Sequence, residues 1–239
     1  LDGGVLHIWG GLCIPLWNLD SYSKHVSKGE CVKKMNNAIE KFISNVNLKT
    51  LILSTMGPAY ITGVPFKDGF KWRYDKQNIE LINDPSVTDR WKIFEVAMRN
   101  TFSKLKNLNR NIIFVIDVPE LGKNDLSSSD RKEECLMDTD IIRYRKFGPT
   151  LGSSIDKINC RVPRSQFNTR VEGFHNLVKK VANDFPYVKI FDPTDIFCDE
   201  NFCYGYQGNT LLYKDVDHLN AIGSRVLANE LVKLIKPSD

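Results

Sequence analysis

The chain has 239 residues, an apolar fraction of 42% and a formal net charge of +4, enough length and hydrophobicity for one large domain with a sizeable core. Its basic residues are spread along the sequence without a lysine or arginine block or an aromatic-basic repeat, which argues against a nucleic-acid partner. No apolar run approaches the roughly 20 residues that span a bilayer and no basic-then-apolar leader opens the chain; it begins at Leu1 without a methionine, as expected of a processed protein or an excised domain.

In chain order, residues 5–9 (VLHIW) read as a first short strand. Residues 31–46 follow, with Met35, Ile39, Phe42, Ile43 and Val46 at helical spacing. The run 48–55 (LKTLILST) is apolar and β-branched, as a buried strand requires. Residues 57–84, rich in Gly, Pro and aromatics, break the rhythm as a loop. A helix is expected over 87–105, with Trp91, Phe94, Val96, Ala97, Met98, Phe102 and Leu105 inward, and a strand over 111–118 (NIIFVIDV).

The polar stretch 121–164, with Ser127, Ser128 and Ser129 in its middle, is a second loop. Both loops follow strand ends, where open α/β sheets place ligand sites, and both read as functional because the core pattern resumes after each. A helix over 166–185 turns Val171, Phe174, Leu177, Val178 and Val181 inward, and 187–191 (YVKIF) is another strand. Asn220 is a good N-cap for a last helix carrying Ile222, Val226, Leu227, Leu231 and Leu234 to the core. Strands alternating with helices predict a single α/β domain over residues 1–239, a three-layer α/β/α architecture around a mostly parallel sheet.

The six cysteines fall into local pairs, Cys13 with Cys31, Cys135 with Cys160 and Cys198 with Cys203. None shows C-x-x-C spacing and the four histidines are scattered away from them, so no metal site and no cofactor is expected. An even count in loop-like surroundings favours disulfides and an oxidising compartment; six buried free thiols in a cytosolic protein are the alternative. There is no N-x-S/T sequon.

The stretch LLYKDVDHLNAIG, residues 211–223, holds the chemistry. Asp215 and His218 are spaced so that the carboxylate can take a hydrogen bond from one imidazole nitrogen, leaving the other to remove a proton from a nucleophile. A solvated helix start is the bland alternative. Asp217, adjacent to the histidine, reads as a helix-proximal acid that favours the dipole and points elsewhere.

Several segments together resemble the SGNH hydrolase superfamily, and within it the extracytoplasmic SGNH domain fused to bacterial integral-membrane O-acyltransferases that modify surface polysaccharides. They are CIPL (residues 13–16), Cys31 at a helix start, LKTLILST with Tyr60 beyond it, FVIDVPELG, CRVPRSQF and, most specifically, DPTDIFCDENFCYGYQGNTLLYKDVDHLNAIGSRVLANEL. The resemblance implies a flavodoxin-like SGNH fold, with His218 as general base and Asp215 as its orienting acid. The family nucleophile is the serine of a Gly-Asp-Ser block, which these residues do not contain. The first strand and nucleophile are therefore expected upstream of Leu1, with Ser54, at a strand end but without a glycine-rich turn, as a weaker candidate.

Gly10 or Gly11 would supply one oxyanion donor through a backbone N–H; no asparagine follows LILST to supply the other. The loop aromatics Tyr60, Phe66, Phe70, Trp72 and Tyr74 would stack on sugar rings, with Arg73 holding an acidic sugar or acyl carbonyl; a self-packed loop core is the alternative. The expected activity, by the resemblance, is transfer of an acyl group, acetyl in the first instance, from an acyl donor to a glycan acceptor, in a domain outside the cytoplasm tethered to a membrane acyltransferase partner. A secreted carbohydrate or lipid esterase and a non-catalytic glycan-binding domain are the alternatives.

Overall fold

The structure, a computed structural model, describes residues 7–8, 12–64, 66, 77–121, 160–214 and 217–235. In chain order its elements are β1 (Leu19–Tyr22), α1 (Glu30–Ser44), β2 (Thr50–Ser54), α2 (Gly57–Thr62), β3 (Asn78–Leu81), α3 (Arg90–Leu105), β4 (Asn111–Val115), β5 (Arg161–Pro163), α4 (Arg164–Asn183), β6 (Val188–Phe191), α5 (Thr194–Phe197), β7 (Phe202–Tyr204), β8 (Tyr206–Gln207), β9 (Thr210–Leu211) and α6 (Ala221–Ile235).

The three apolar runs expected as buried strands form the central sheet, in the order β2-β4-β6 and parallel throughout. Alternation along the strands sends Leu53, Ile112, Phe114 and Val188 to one face. There they pack with Ile39 and Phe42 of α1, Phe94 and Phe102 of α3 and Phe174, Leu177 and Val178 of α4. Lys189, on the opposite face, reaches α6, its Nζ donating to the Leu234 carbonyl at 3.0 Å. Helices thus cover both faces, the three-layer α/β/α arrangement that the periodicity predicts.

Local sequence explains the helix ends. Asp89 accepts from the Lys92 N–H at 2.7 Å and caps α3. The fully buried Asp20 of β1 accepts from the Gly29 and Val32 N–H groups at 2.6 and 3.2 Å, so a distant strand caps α1. At the other end of α1, Arg110 donates to the carbonyls of Phe42 and Ile43, satisfying acceptors that the last turn leaves open.

Several expectations are corrected. His7 and Ile8 are irregular, not part of a strand, while Val5, Leu6 and Trp9 lie outside the described residues. Residues 57–84 are not one loop: α2 and β3 lie within them, and β3 pairs antiparallel with β1. Val46 falls beyond the end of α1 and is 65% exposed, and Trp91, in the first turn of α3, is 40% exposed. The apolar residues of α6 are half-buried; Ile222, Val226 and Leu227 border a second, smaller cluster and not the main core. Of the long polar loop, residues 122–159 lie outside the described residues, so nothing there bears on Ser127, Ser128 or Ser129.

Candidate active site

Because β2, β4 and β6 are parallel and in register, their C-terminal ends share one edge. Ser54 closes β2, Asp117 lies two residues past β4, and Asp192 directly follows β6. This is the edge where open α/β sheets carry their chemistry.

The histidine arrives from the far end of the chain. The β8–β9 hairpin pairs Tyr206 with Leu211, and a bridge between Tyr213 and Leu219 closes the next turn. Asn220 then ties this turn to the start of α6. Its Oδ1 accepts from the Ile222 and Gly223 N–H groups at 2.8 and 2.9 Å, while its own N–H and Nδ2 donate to Leu212 and Leu211 carbonyls at 2.8 and 2.7 Å. The N-cap read from the sequence therefore also fixes the histidine loop. Gly223 permits the close approach: a Cβ there would lie 2.2 Å from the Leu212 carbonyl oxygen.

His218 Nδ1 lies 2.7 Å from Asp217 Oδ1, with the imidazole 36% exposed and the carboxylate 4% exposed. The reading of Asp217 as an acid pointing elsewhere is corrected. Adjacent side chains diverge in a regular strand, but residues 217 and 218 sit in an irregular turn where both can face one side. Asp215 lies outside the described residues, as do Gly10, Gly11, Trp72 and Arg73.

A buried polar cluster underlies this loop. The Tyr213 hydroxyl, 1% exposed as a residue, donates to the Pro119 carbonyl at 3.0 Å and pins the histidine loop to the segment leaving β4. In that segment the Asp117 carboxyl is driven well above the usual carboxylate range, first by burial and then by the nearby charge of Glu120, with Asp217 adding to the rise and His218 opposing it. Burial likewise raises Glu120, against the pull of Arg170. Arg170 Nε and Glu120 Oε2 are 3.0 Å apart with both side chains 9% exposed. The rest of the guanidinium donates to Thr62 Oγ1 and the Val64 carbonyl. Such a buried pair holds only with its remaining hydrogen bonds supplied, and here they anchor the end of α2.

A small pocket opens beside these acids, lined by Pro58, Ile116, Asp117, Phe167, Val171 and His175 among others. His175 Nδ1 is 3.7 Å from Asp192 Oδ2, and burial holds the imidazole below its ordinary value against the pull of that carboxylate. Asp192 Oδ1 meanwhile accepts from the Thr194 N–H and hydroxyl at 2.9 and 2.5 Å.

Of the remaining candidates, Ser54 is exposed at the end of β2, and no hydrogen bond joins it to His218 among the described residues. Tyr60 is corrected: it is 5% exposed within the main core on α2, which leaves no ring face for a sugar. Cys13–Cys31 and Cys198–Cys203 are disulfides. Cys160 is disulfide-bonded too, while its expected partner Cys135 lies outside the described residues. Among the described residues no cluster has the makings of a metal site, and no helix is long and apolar enough to cross a membrane.

Sequence reasoning missed Asp117, Glu120, Arg170, Tyr213 and His175. One signal was available, an acid inside the apolar run IIFVIDV, since buried acids are rare and carry a reason. The others come together only through the fold.

Comparison with solved structures finds the periplasmic domain of a lipopolysaccharide acetyltransferase from Salmonella ser. Paratyphi A, at 19% sequence identity and a TM-score of 0.50, covering 93% of this chain and 69% of that one. That likeness is one of fold. A search of curated proteins finds no match. The profile of the SGNH domain fused to AT3 domains matches residues 1–233. With the parallel sheet, the disulfides and the histidine loop at its site edge, the chain belongs to the family of SGNH domains that are fused to AT3 domains.

Proposed function

We propose that this is the extracytoplasmic SGNH domain of an O-acyltransferase that moves an acyl group, acetyl in the simplest case, onto a cell-surface glycan hydroxyl. The observation that carries the reading is the 2.7 Å contact between His218 Nδ1 and a buried carboxylate at the strand-end edge. A carboxylate held this close to Nδ1 favours the imidazolium that forms when Nε2 takes a proton from a hydroxyl. Family membership supports acyl-transfer chemistry, and the disulfides support a compartment outside the cytoplasm.

In this reading a serine attacks the donor's acyl carbon while His218 takes its proton, and the donor's alcohol or thiol leaves with that proton. The acceptor sugar hydroxyl then gives its proton to His218 as its oxygen attacks the ester, and His218 passes that proton to the serine oxygen as the ester bond breaks. The serine is that of a Gly-Asp-Ser block, and the reading puts it in sequence preceding Leu1. The orienting acid is Asp215 by the D-x-x-H pattern; the observed contact favours Asp217 as a second reading.

The test uses the full-length protein. His218→Ala is expected to lower acyl transfer at least about 1,000-fold with the melting temperature unchanged; retained activity would sink the role of His218. Asp215→Asn and Asp217→Asn, assayed side by side, separate the two acids: the variant with the larger fall in kcat identifies the residue at Nδ1 during turnover. Acyl release to water in place of sugar would point to an esterase.

A further inference from the structure

The short antiparallel ribbon of β5 and β7 has two unlike faces. Val162 pairs with Cys203, and both are fully buried in the second cluster. Alternation turns Arg161, Pro163, Phe202 and Tyr204 the other way, where each keeps solvent contact. The Phe202 and Tyr204 rings lie 6.1 Å apart with planes inclined at 51°, and Tyr206, at the start of β8, adds a third ring 5.5 Å from Tyr204 at 70°.

Polar groups border the rings. The Arg161 guanidinium sits 4.2 Å from the Phe202 ring centroid, and the Tyr204 hydroxyl donates to Asp199 Oδ2 at 2.6 Å. The surface is held in place by the Cys198–Cys203 disulfide and by the Gly205 N–H donating to the Cys160 carbonyl at 2.7 Å. It is continuous with the histidine loop: Leu212 N–H donates to the Gly205 carbonyl at 2.8 Å, and Tyr206 pairs with Leu211.

Leaving three aromatic rings half-exposed forgoes the stabilisation that burying them would give. The ligand chemistry that such a surface matches is the saccharide ring, whose C–H faces are apolar and whose rim is hydroxyl. Aromatic rings meet the faces, while a carboxylate that only accepts and a guanidinium that only donates meet the rim. We propose that the outward face of the β5–β7 ribbon, Arg161, Phe202 and Tyr204 continued by Tyr206, is a saccharide-binding platform that seats the acceptor glycan. The proposal rests on the acyl-transfer reading for the identity of the glycan as acceptor, and on the ribbon alone for the binding.

The experiment is isothermal titration of the full-length protein with de-O-acetylated polysaccharide released from lipopolysaccharide by mild acid, alongside hydrolysis of 4-nitrophenyl acetate and a melting curve. Phe202→Leu and Tyr204→Leu are each expected to weaken polysaccharide binding about tenfold while ester hydrolysis and melting temperature hold, and Tyr204→Phe is expected to retain most of the affinity. Unchanged affinity in both leucine variants overturns the platform, as does affinity lost only in step with melting temperature, because the rings would then be a cross-strand ladder stabilising the ribbon. If wild type binds no polysaccharide yet hydrolyses the ester in a His218-dependent manner, the platform is overturned and the acyl chemistry stands. If it does neither, both fall.

Discussion

The molecule has two apolar clusters built on different terms. The first, beneath the central sheet, is made of long periodic elements and large rings: Phe94 and Phe174 meet edge to face at 5.7 Å, and Phe102 and Phe114 at 6.0 Å. The second, beneath the histidine loop, gathers Phe167 from the first turn of α4 with Leu121, Phe197, Cys203, Leu212 and Tyr213 from short elements and turns. It is stitched by a disulfide, by the Tyr213 hydroxyl and, alongside, by the Glu120–Arg170 pair. The first is secured chiefly by close packing, with the Cys13–Cys31 disulfide joining α1 to the segment that carries Ile14 and Leu16. The second leans more on protonation and hydrogen bonds, and it underlies the proposed site.

The comparison can be broken hardest in the main core. Phe174→Ala removes a ring that is 1% exposed and packs against both Phe94 and Gly57. It is expected to cost about 3–5 kcal/mol, read as a lowered denaturant midpoint. A loss under 1 kcal/mol would show that this cluster is not the main support.

Gly223→Ala strikes the second cluster. The added methyl must push the first turn of α6 away from the Leu212 carbonyl, 2.2 Å from the Cβ position, at a cost of about 1–3 kcal/mol. Because the same turn holds the His218 loop, acyl transfer is expected to fall by more than the stability loss accounts for. Equal losses in both would mean that the loop is positioned elsewhere.

The smallest effect sharpens the electrostatic side. Asp117 has its folded pKa raised above the unfolded one, chiefly by burial and by Glu120, with Asp217, His218 and Tyr213 also near it. Between the two values the folded state binds more protons than the unfolded one, so this contribution is full below the ordinary aspartate range and fades as pH rises through the folded pKa. Asp117→Asn is therefore expected to flatten the decline in melting temperature that sets in above the ordinary aspartate range. His175, lowered by burial, acts oppositely, costing stability as pH falls below the ordinary imidazole value. A variant whose melting temperature follows pH as wild type does would clear Asp117 of the role.

The two clusters also differ in how far they could be read in advance. Residues of the main core recur at periods of 3.6 or 2 over many residues, so α1, α3, α4 and the sheet strands emerge from pattern alone. The second cluster takes Val171 and the inner face of α6 from legible helices, but much of the rest comes from strands of two or three residues and from α5, a helix of four, lengths over which no period can be counted. Val46 follows the pattern yet lies where the helix has run past its support, while Trp91 lays its ring against Gly173 of α4 and still keeps solvent contact. Tyr60 looked like a loop aromatic because Gly57 and Pro58 read as loop residues, whereas Pro opens the six-residue α2 and Gly57 lets it press on Phe174. Asn220 was legible because a cap is a local event. The contact of Asp217 with His218 was not, because backbone direction in an irregular turn is set by what surrounds it.

The Cys198–Cys203 bond spans five residues inside the second cluster, and this orders the maturation of the protein. The main core is expected to assemble largely by collapse of its own apolar faces, and the surroundings of His218 to settle only once Cys198 and Cys203 are joined. Material made in a reducing cytosol should then be well folded by far-ultraviolet circular dichroism and still slow as a catalyst, gaining activity on exposure to an oxidant without any large change in secondary structure. Under the proposed function, oxidation after export would complete the loop that presents His218.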